Sequence, residues 1–450
     1  MMDQPKGGIK KLNSSWVSRT LRTSTTAMKL SARMAGSSLQ QLVVGHEKAT
    51  QIKAATQMAI AEDVAESLGE LKGLLMKMGQ IMSYMDFALP ENVRHILSSL
   101  QDRTQPMSPE VIDQVLIKEL GDTPERIFAQ WSRQPLAAAS IGQVHRARLR
   151  DGTAVVVKVQ YPGITHTLAT DLANTAIFDR LGSVMFRNQD KGTLMAELRE
   201  RLLEECDYEN EAKNLKFFKK AFADVPWVKI PDVFDDYSTK RILTMEYIEG
   251  RRHREFLASA TQEEKNLAGE RMFGMVFQSL FKHHVFNCDP HPGNFLFLKD
   301  QVAFLDFGCV KRYDPNFIKI WKAYARSVLL RDRKEADKNI VQLGFAPRPE
   351  KFDFDYQDRM MISLYEPWMT EGKYKFTRSL AQGTWNTMML DNPNRYYTNV
   401  PRDWIFASRL QWGLYSVLAE MGAEFDARKI ALELLFAKSE KWPPALFKHQ

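Results

Sequence analysis

Cysteine is scarce: Cys206, Cys288 and Cys309 are the only three in 450 residues. They are too scattered for a disulfide framework or a CxxC metal site, so a reducing, intracellular compartment is expected. Long apolar runs are missing as well. No stretch of about eighteen apolar residues occurs, so no transmembrane helix is expected. Near the amino terminus Lys, Arg and Ser interrupt every apolar stretch, and no signal peptide is read there. Low-complexity blocks and internal repeats are absent too. What is left is an ordinary globular composition, 44% hydrophobic and 26% charged, long enough for one large or two closely packed domains.

Acidic side chains are nearly missing from residues 1–46. Asp3 alone faces seven Lys and Arg there, so this arm holds +6 of the net +7. The remainder is close to neutral, which argues against a body built to bind nucleic acid. Two readings of the arm stay open. It is a solvated tail, or a basic segment on anionic lipid with Trp16, Val17, Leu21 and Met28 on one helical face. The expected location is cytoplasmic, with a peripheral membrane association under the second reading. Oligomeric state leaves no mark in the sequence.

The patterning divides the rest into three parts. Residues 47–125 form a helical extension, with Leu68, Leu71, Leu75, Met78, Met82 and Met85 at helical spacing and a further helix capped by Ser108 with Pro109 first. Residues 126–250 form a small sheet with helices. Here IGQVHRARL and TAVVVKVQ read as alternating strands joined by a hairpin at Arg150-Asp151-Gly152, and helices are predicted over 165–186 and 193–222. Residues 251–450 read as helical after 262, save for the strand pair NFLFL and VAFLDF within 294–307. A β-rich lobe followed by a helical lobe is an arrangement that binds nucleotides.

Glycine is missing where a phosphate loop wants it. Protein kinases cover the phosphates with GxGxxGxV between two antiparallel strands. Residues 136–144 read LAAASIGQV, which sets Ala137, Ala139 and Gly142 on the glycine positions and Val144 on the valine, with Ala138 and Ser140 between. Fourteen residues past Val144 stands Lys158, spaced to reach α- and β-phosphates. In NCDPHPGN, Asp289 and Asn294 lie five apart, and Asp306 opens a DFG twelve residues past Asn294. A carboxylate near the γ-phosphate with two oxygen ligands for Mg²⁺ is what phosphoryl chemistry demands. The ordered set predicts binding of ATP or ADP with Mg²⁺. Strands on either side would bring Asn294 and Asp306 to one end of a hairpin.

With these motifs the chain resembles the UbiB (AarF-type) family of atypical, protein-kinase-like proteins over roughly residues 60–315. KMGQ at 77–80 matches that family's KxGQ, AAAS at 137–140 its alanine-rich loop, and Glu205-Cys206-Asp207 its ExD; DPHPGN and DFG complete the set. The resemblance implies an α+β, bilobal protein-kinase-like fold with the N-terminal helical extension packed over the cleft. It pairs Lys158 with Glu211, and Lys77, beside Gln80, with Glu205 or Asp207. Asp289 becomes the catalytic-loop aspartate, and Asn294 and Asp306 the metal ligands. The segment with Glu246, Tyr247 and Ile248 becomes the hinge that meets adenine. Implied partners are a nucleotide, isoprenoid or quinone lipids or the enzymes that make them, and no nucleic acid. The implied activity is that of an atypical kinase or ATPase supporting ubiquinone or related lipid metabolism.

Three points stand out. Asn287 replaces a His that is common in this family two residues before the catalytic-loop Asp; His291, in agreement with the family, stands where many protein kinases have Lys; and no APE-like segment follows the DFG. Little room remains for a peptide platform, because Asp314-Pro315 is predicted to start a helix almost at once. A conventional protein kinase acting in trans and a nucleotide-sensing scaffold without turnover are the alternatives.

Overall fold

The computed structural model describes residues 107–139, 141–173, 191–288, 291–385, 387, 391–399, 401–404 and 407–448. The expectations for the basic arm, the KMGQ helix with Lys77 and Gln80, Ser140 and Asp289 therefore lie outside the described residues.

Along the chain, helix α1 (Pro109–Leu120) precedes strands β1 (Gln130–Trp131), β2 (Ala137–Ala138), β3 (Gly142–Arg148) and β4 (Ala154–Gln160). Helices α2 (Ile164–Ala173), α3 (Lys191–Glu204) and α4 (Tyr208–Ala221) follow, then strands β5 (Val228–Lys229), β6 (Ile242–Glu246) and β7 (Arg251–Arg252). Next come α5 (His253–Ser259), α6 (Gln262–His283), β8 (Val285–Asn287), β9 (Phe295–Phe297), β10 (Val302–Phe304) and β11 (Val310–Arg312). The remainder is α7 (Pro315–Leu330), α8 (Arg333–Gln342), α9 (Phe354–Leu364), β12 (Tyr374–Lys375), α10 (Arg378–Trp385), α11 (Ala407–Met421), β13 (Glu424–Phe425) and α12 (Ala427–Leu435), short single turns aside. Among the described residues, no helix is long and apolar enough to cross a membrane.

The chain divides into two compact units. The first comprises Met1–Met185, Leu202–Glu209 and Val233–Tyr247. Its described part is an antiparallel sheet in the order β1-β3-β4-β6, with β2 also on β3. The β3–β4 hairpin turns at Gly152, whose φ of 89° needs a residue without a Cβ. On β4 the burial is not alternating as the sequence reading expects. All positions from Val155 to Gln160 are buried, because the strand is central and covered on both faces. Helix α1 begins at Pro109, but the Ser108 side chain makes no capping bond; its carbonyl accepts from Val111 and Ile112 instead.

A buried polar relay ties Met107 and Ser132 to β3. The Nδ1 of His145 lies 2.8 Å from the Ser132 carbonyl and its Nε2 lies 2.9 Å from Gln143 Nε2. Gln143 Oε1 in turn accepts from the Met107 amide at 2.9 Å. A carbonyl on one side and an amide donor on the other require the neutral Nδ1–H imidazole. The ring stacks on Trp131 at 4.7 Å, and burial pushes its pKa below the ordinary histidine value. The unfolded chain takes up this proton below about pH 6.5 while the buried ring resists it, so stability held above that pH is lost as pH falls. Between about pH 7.5 and about pH 5.5 the unfolding midpoint should drop, and less so for His145→Phe. Equal drops in the two chains, measured by circular dichroism melts, would assign the loss to other groups.

The second unit comprises Phe186–Arg201, Asn210–Asp232 and Ile248–Gln450. Helix α6 is its axis, started by a capping box between Thr261 and Glu264 and ended by His284 in the left-handed region. Phe273, Phe277 and Phe281 on α6 are buried with Trp321, Trp368 and Phe376. The sequence reading expects one strand pair after residue 262, and β9–β10 is that pair. It misses the β8–β11 and β12–β13 ladders, whose strands of two or three residues are too short to show a period.

Candidate functional site

In the first unit, Ala137 and Ala138 pair with Val144 and Gln143, and the Ala139 amide donates to the Gly142 carbonyl at 2.9 Å. Neither these alanines nor Gly142 has a positive φ. At these four described positions the backbone asks for no glycine-only conformation, and the three alanine methyls sit there without strain. Gly142 is kept for another reason. A Cβ there would run into the Val159 carbonyl oxygen of β4 and stand 3.0 Å from the Tyr208 hydroxyl oxygen. It is a glycine of close strand packing.

The same register sets the lysine. Val144 faces Lys158 across the β3–β4 ladder, so the alanine turn and the amine lie on neighbouring strands. Lys158 is buried, and its Nζ lies 5.2 Å from the centroid of the Tyr208 ring. A cation over an aromatic face is stabilised by the ring quadrupole, and Tyr208 is a contact the sequence reading did not find. At the end of β6, Glu246 pairs with Val155, and the Tyr247 amide donates to the Ala154 carbonyl at 3.1 Å. The Arg146 guanidinium lies 4.3 Å above the Tyr247 ring. Ile248, buried, belongs to the second unit.

The ExD stretch is not helical throughout, contrary to the predicted helix over 193–222. Helix α3 ends at Glu204 and α4 begins at Tyr208. Asp207 accepts from the Glu209 amide at 3.1 Å, an Asx contact that opens α4, and lies 3.6 Å from Lys240 Nζ. Between the acids, Cys206 is buried, its thiol pushed up to about 11 by burial, and its carbonyl accepts from Gln160 Nε2 at 3.0 Å. Glu211, in the first turn of α4, is buried.

In the second unit two ladders converge on the DFG. Phe295 pairs with Phe304, and the Leu305 amide donates to the Asn294 carbonyl at 3.0 Å. Asn294 and Asp306 thus flank one end of one hairpin. The Asp306 Oδ1 accepts from the Gly308 amide at 3.0 Å. On the other side β8 pairs with β11, and the Cys288 amide donates to the Cys309 carbonyl. That ladder gives Asn287 a job. Its Nδ2 donates to the Asp306 carbonyl at 2.6 Å, an orienting contact for the turn in place of the expected His. Finding it from sequence would have needed the β8–β11 pairing. His291 closes its own loop, its Nδ1 accepting from the Gly293 amide at 2.9 Å. Past the DFG, α7 starts at Pro315 with Asp314 as its cap, as predicted.

A small antiparallel sheet with an alanine turn and a buried strand lysine, together with a DFG hairpin in a helical unit, defines a protein-kinase-like α+β fold. More narrowly, the chain belongs to the ABC1 atypical kinase-like family, whose domain matches residues 99–340. It is 29% identical over 385 residues to the mitochondrial atypical kinase COQ8 of Saccharomyces cerevisiae, covering 83% of this chain and 76% of that one. Identity is 31% to COQ8 of Schizosaccharomyces pombe, covering 68% of this chain and 51% of that one. It is 34% to the chloroplastic ACTIVITY OF BC1 COMPLEX KINASE 7 of Arabidopsis thaliana, covering 62% and 41%. The match thus spans about half or less of these last two. Among solved structures, a Mycobacterium tuberculosis protein in complex with erythromycin superposes with a TM-score of 0.62 at 27% identity, over 87% of this chain and 100% of that one.

Proposed function

We propose that the chain is an Mg²⁺-dependent, ATP-binding atypical kinase or ATPase that supports ubiquinone or related isoprenoid-lipid metabolism at a membrane surface. The observation that carries the reading is the hairpin closure that sets Asn294 beside the DFG, Leu305 N–H on Asn294 C=O at 3.0 Å. A carboxylate and a carboxamide are hard oxygen donors, a set that suits Mg²⁺ and not a thiolate-seeking metal. Asn294 and Asp306 would hold that ion, which supplies charge neutralisation for the phosphates. Asp289 is the catalytic-loop aspartate that accepts or orients the attacking hydroxyl or water. Lys158, the partner of Glu211 in the family's pattern, binds α- and β-phosphates. Ala137, Ala138, Ala139, Ser140, Gly142 and Val144 cover the phosphates, and the backbone at Glu246, Tyr247 and Ile248 meets adenine. Lys77 and Gln80, together with Glu205 and Asp207, are the regulatory residues of the family's pattern.

Two findings favour a small-molecule or lipid role over phosphorylation of proteins in trans. Helix α7 begins seven residues past Gly308, which leaves little room for a peptide platform. The curated relative with the widest coverage here bears the name of a mitochondrial COQ8 kinase. The reading is tested by ADP release from the purified chain, with and without anionic liposomes carrying a quinone-like lipid. Turnover should rise several-fold with liposomes, and deletion of residues 1–46 should remove the rise, since polybasic segments gain about 1 kcal/mol per Lys or Arg near such a surface. Nucleotide binding without turnover under any condition would favour the scaffold instead.

A further inference from the structure

Helix α4 carries an asparagine that none of the motifs includes. Asn214 lies three residues past Glu211 and is 4% exposed. Both ends of its carboxamide are engaged. Nδ2 donates to the carbonyl of Phe307, the DFG phenylalanine, at 3.0 Å, and Oδ1 accepts from Arg312 Nη2 at 3.1 Å. The amide has one workable orientation, because a guanidinium only donates and a carbonyl only accepts. Its neighbours on α4 reinforce the grip. The Arg312 guanidinium lies 4.7 Å from the Phe217 ring centroid, and the fully buried Phe307 ring lies 4.4 Å from that of Phe218.

Asn214, Phe217 and Phe218 therefore hold both the residue after Asp306 and Arg312 at the end of β11. The turn has little freedom left, since the Asp306 carbonyl is taken by Asn287 and its Oδ1 by the Gly308 amide. With Phe307 fixed through both ring and carbonyl, the direction of the Asp306 carboxylate depends on the helix that bears Glu211.

We propose that Asn214 is a positioning residue for Asp306, coupling the position of α4 to metal affinity at the DFG turn. This rests on the reading of Asp306 as a metal ligand. The share of Asn214 in holding Phe307 is one neutral hydrogen bond, so its loss should weaken metal binding by roughly three- to tenfold.

The test is Mn²⁺ binding followed by electron paramagnetic resonance in the presence of ATP, on the full chain. Asn214→Asp keeps the acceptor for Arg312 but turns an oxygen toward the Phe307 carbonyl; Asn214→Leu removes both bonds at similar volume. Each should weaken nucleotide-dependent Mn²⁺ binding by that factor, while affinity for ATP without metal stays at the wild-type value. Wild-type Mn²⁺ affinity in whichever variant remains folded overturns the positioning role and leaves the parent reading intact. Absence of nucleotide-dependent Mn²⁺ binding in the wild type overturns both.

Discussion

Asp306→Asn should leave the chain folded and lower its Mg²⁺-dependent ADP release by at least about 100-fold, equivalent to about 2.7 kcal/mol of transition-state stabilisation. The fold is expected to survive because the contacts that shape the turn do not need the charge. Asn287 holds the Asp306 carbonyl, which the substitution retains. The Gly308 amide needs only an acceptor oxygen, and asparagine has one. The β8–β11 and β9–β10 ladders on either side are backbone pairings. What disappears is one negative charge at the position proposed to hold Mg²⁺ beside the triphosphate. Steady-state ADP release together with a thermal melt separates the outcomes. A wild-type rate in a folded Asp306→Asn chain would remove Asp306 from the metal site.

The second large effect is structural. Gly142→Ala should destabilise the first unit by about 1–3 kcal/mol, the usual cost of overpacking a tight interior. The added methyl would meet the Val159 carbonyl oxygen, which belongs to the central strand β4, and the Tyr208 hydroxyl. Neither is the free end of a flexible side chain: β4 is hydrogen-bonded to β3 and β6, and the Tyr208 ring lies beneath Lys158. Relief by shifting β3 would also move the alanine turn paired to it, so nucleotide affinity should fall with stability. By contrast Ala139→Gly should cost only the added chain entropy, about 0.5–1 kcal/mol, since no described residue of that turn has a positive φ. Equal melting midpoints for Gly142→Ala and wild type would mean that the strands can spread, and that close packing is not what requires this glycine.

Gly142 also shows where sequence reading stopped. LAAASIGQV correctly suggested a turn ahead of a strand, and the spacing to Lys158 anticipated neighbouring strands. Which glycine mattered, and why, depended on the approach of Val159 and Tyr208, neither of which a loop motif contains. Local signals with their own chemistry were legible: Asp151-Gly152 as a hairpin, Asp314-Pro315 as a helix start, and the Asn294–Asp306 hairpin end. Features created by distant pairing were not. Asn287 looked like a defect in a motif until β8 met β11. Asn214 belongs to no motif, and only its contacts with Phe307 and Arg312 set it apart. The break between α3 and α4 was hidden because Cys206 is apolar and buried, so the helical pattern runs through it.

The central claim, that this chain binds ATP through a metal held by the DFG hairpin, is tested most directly by calorimetric titration of ATP into the purified chain with and without Mg²⁺. Mg²⁺ should tighten ATP binding in the wild type and have no effect on the affinity of Asp306→Asn. Identical wild-type affinities with and without Mg²⁺, or an Asp306→Asn chain that responds to Mg²⁺ as the wild type does, would contradict it.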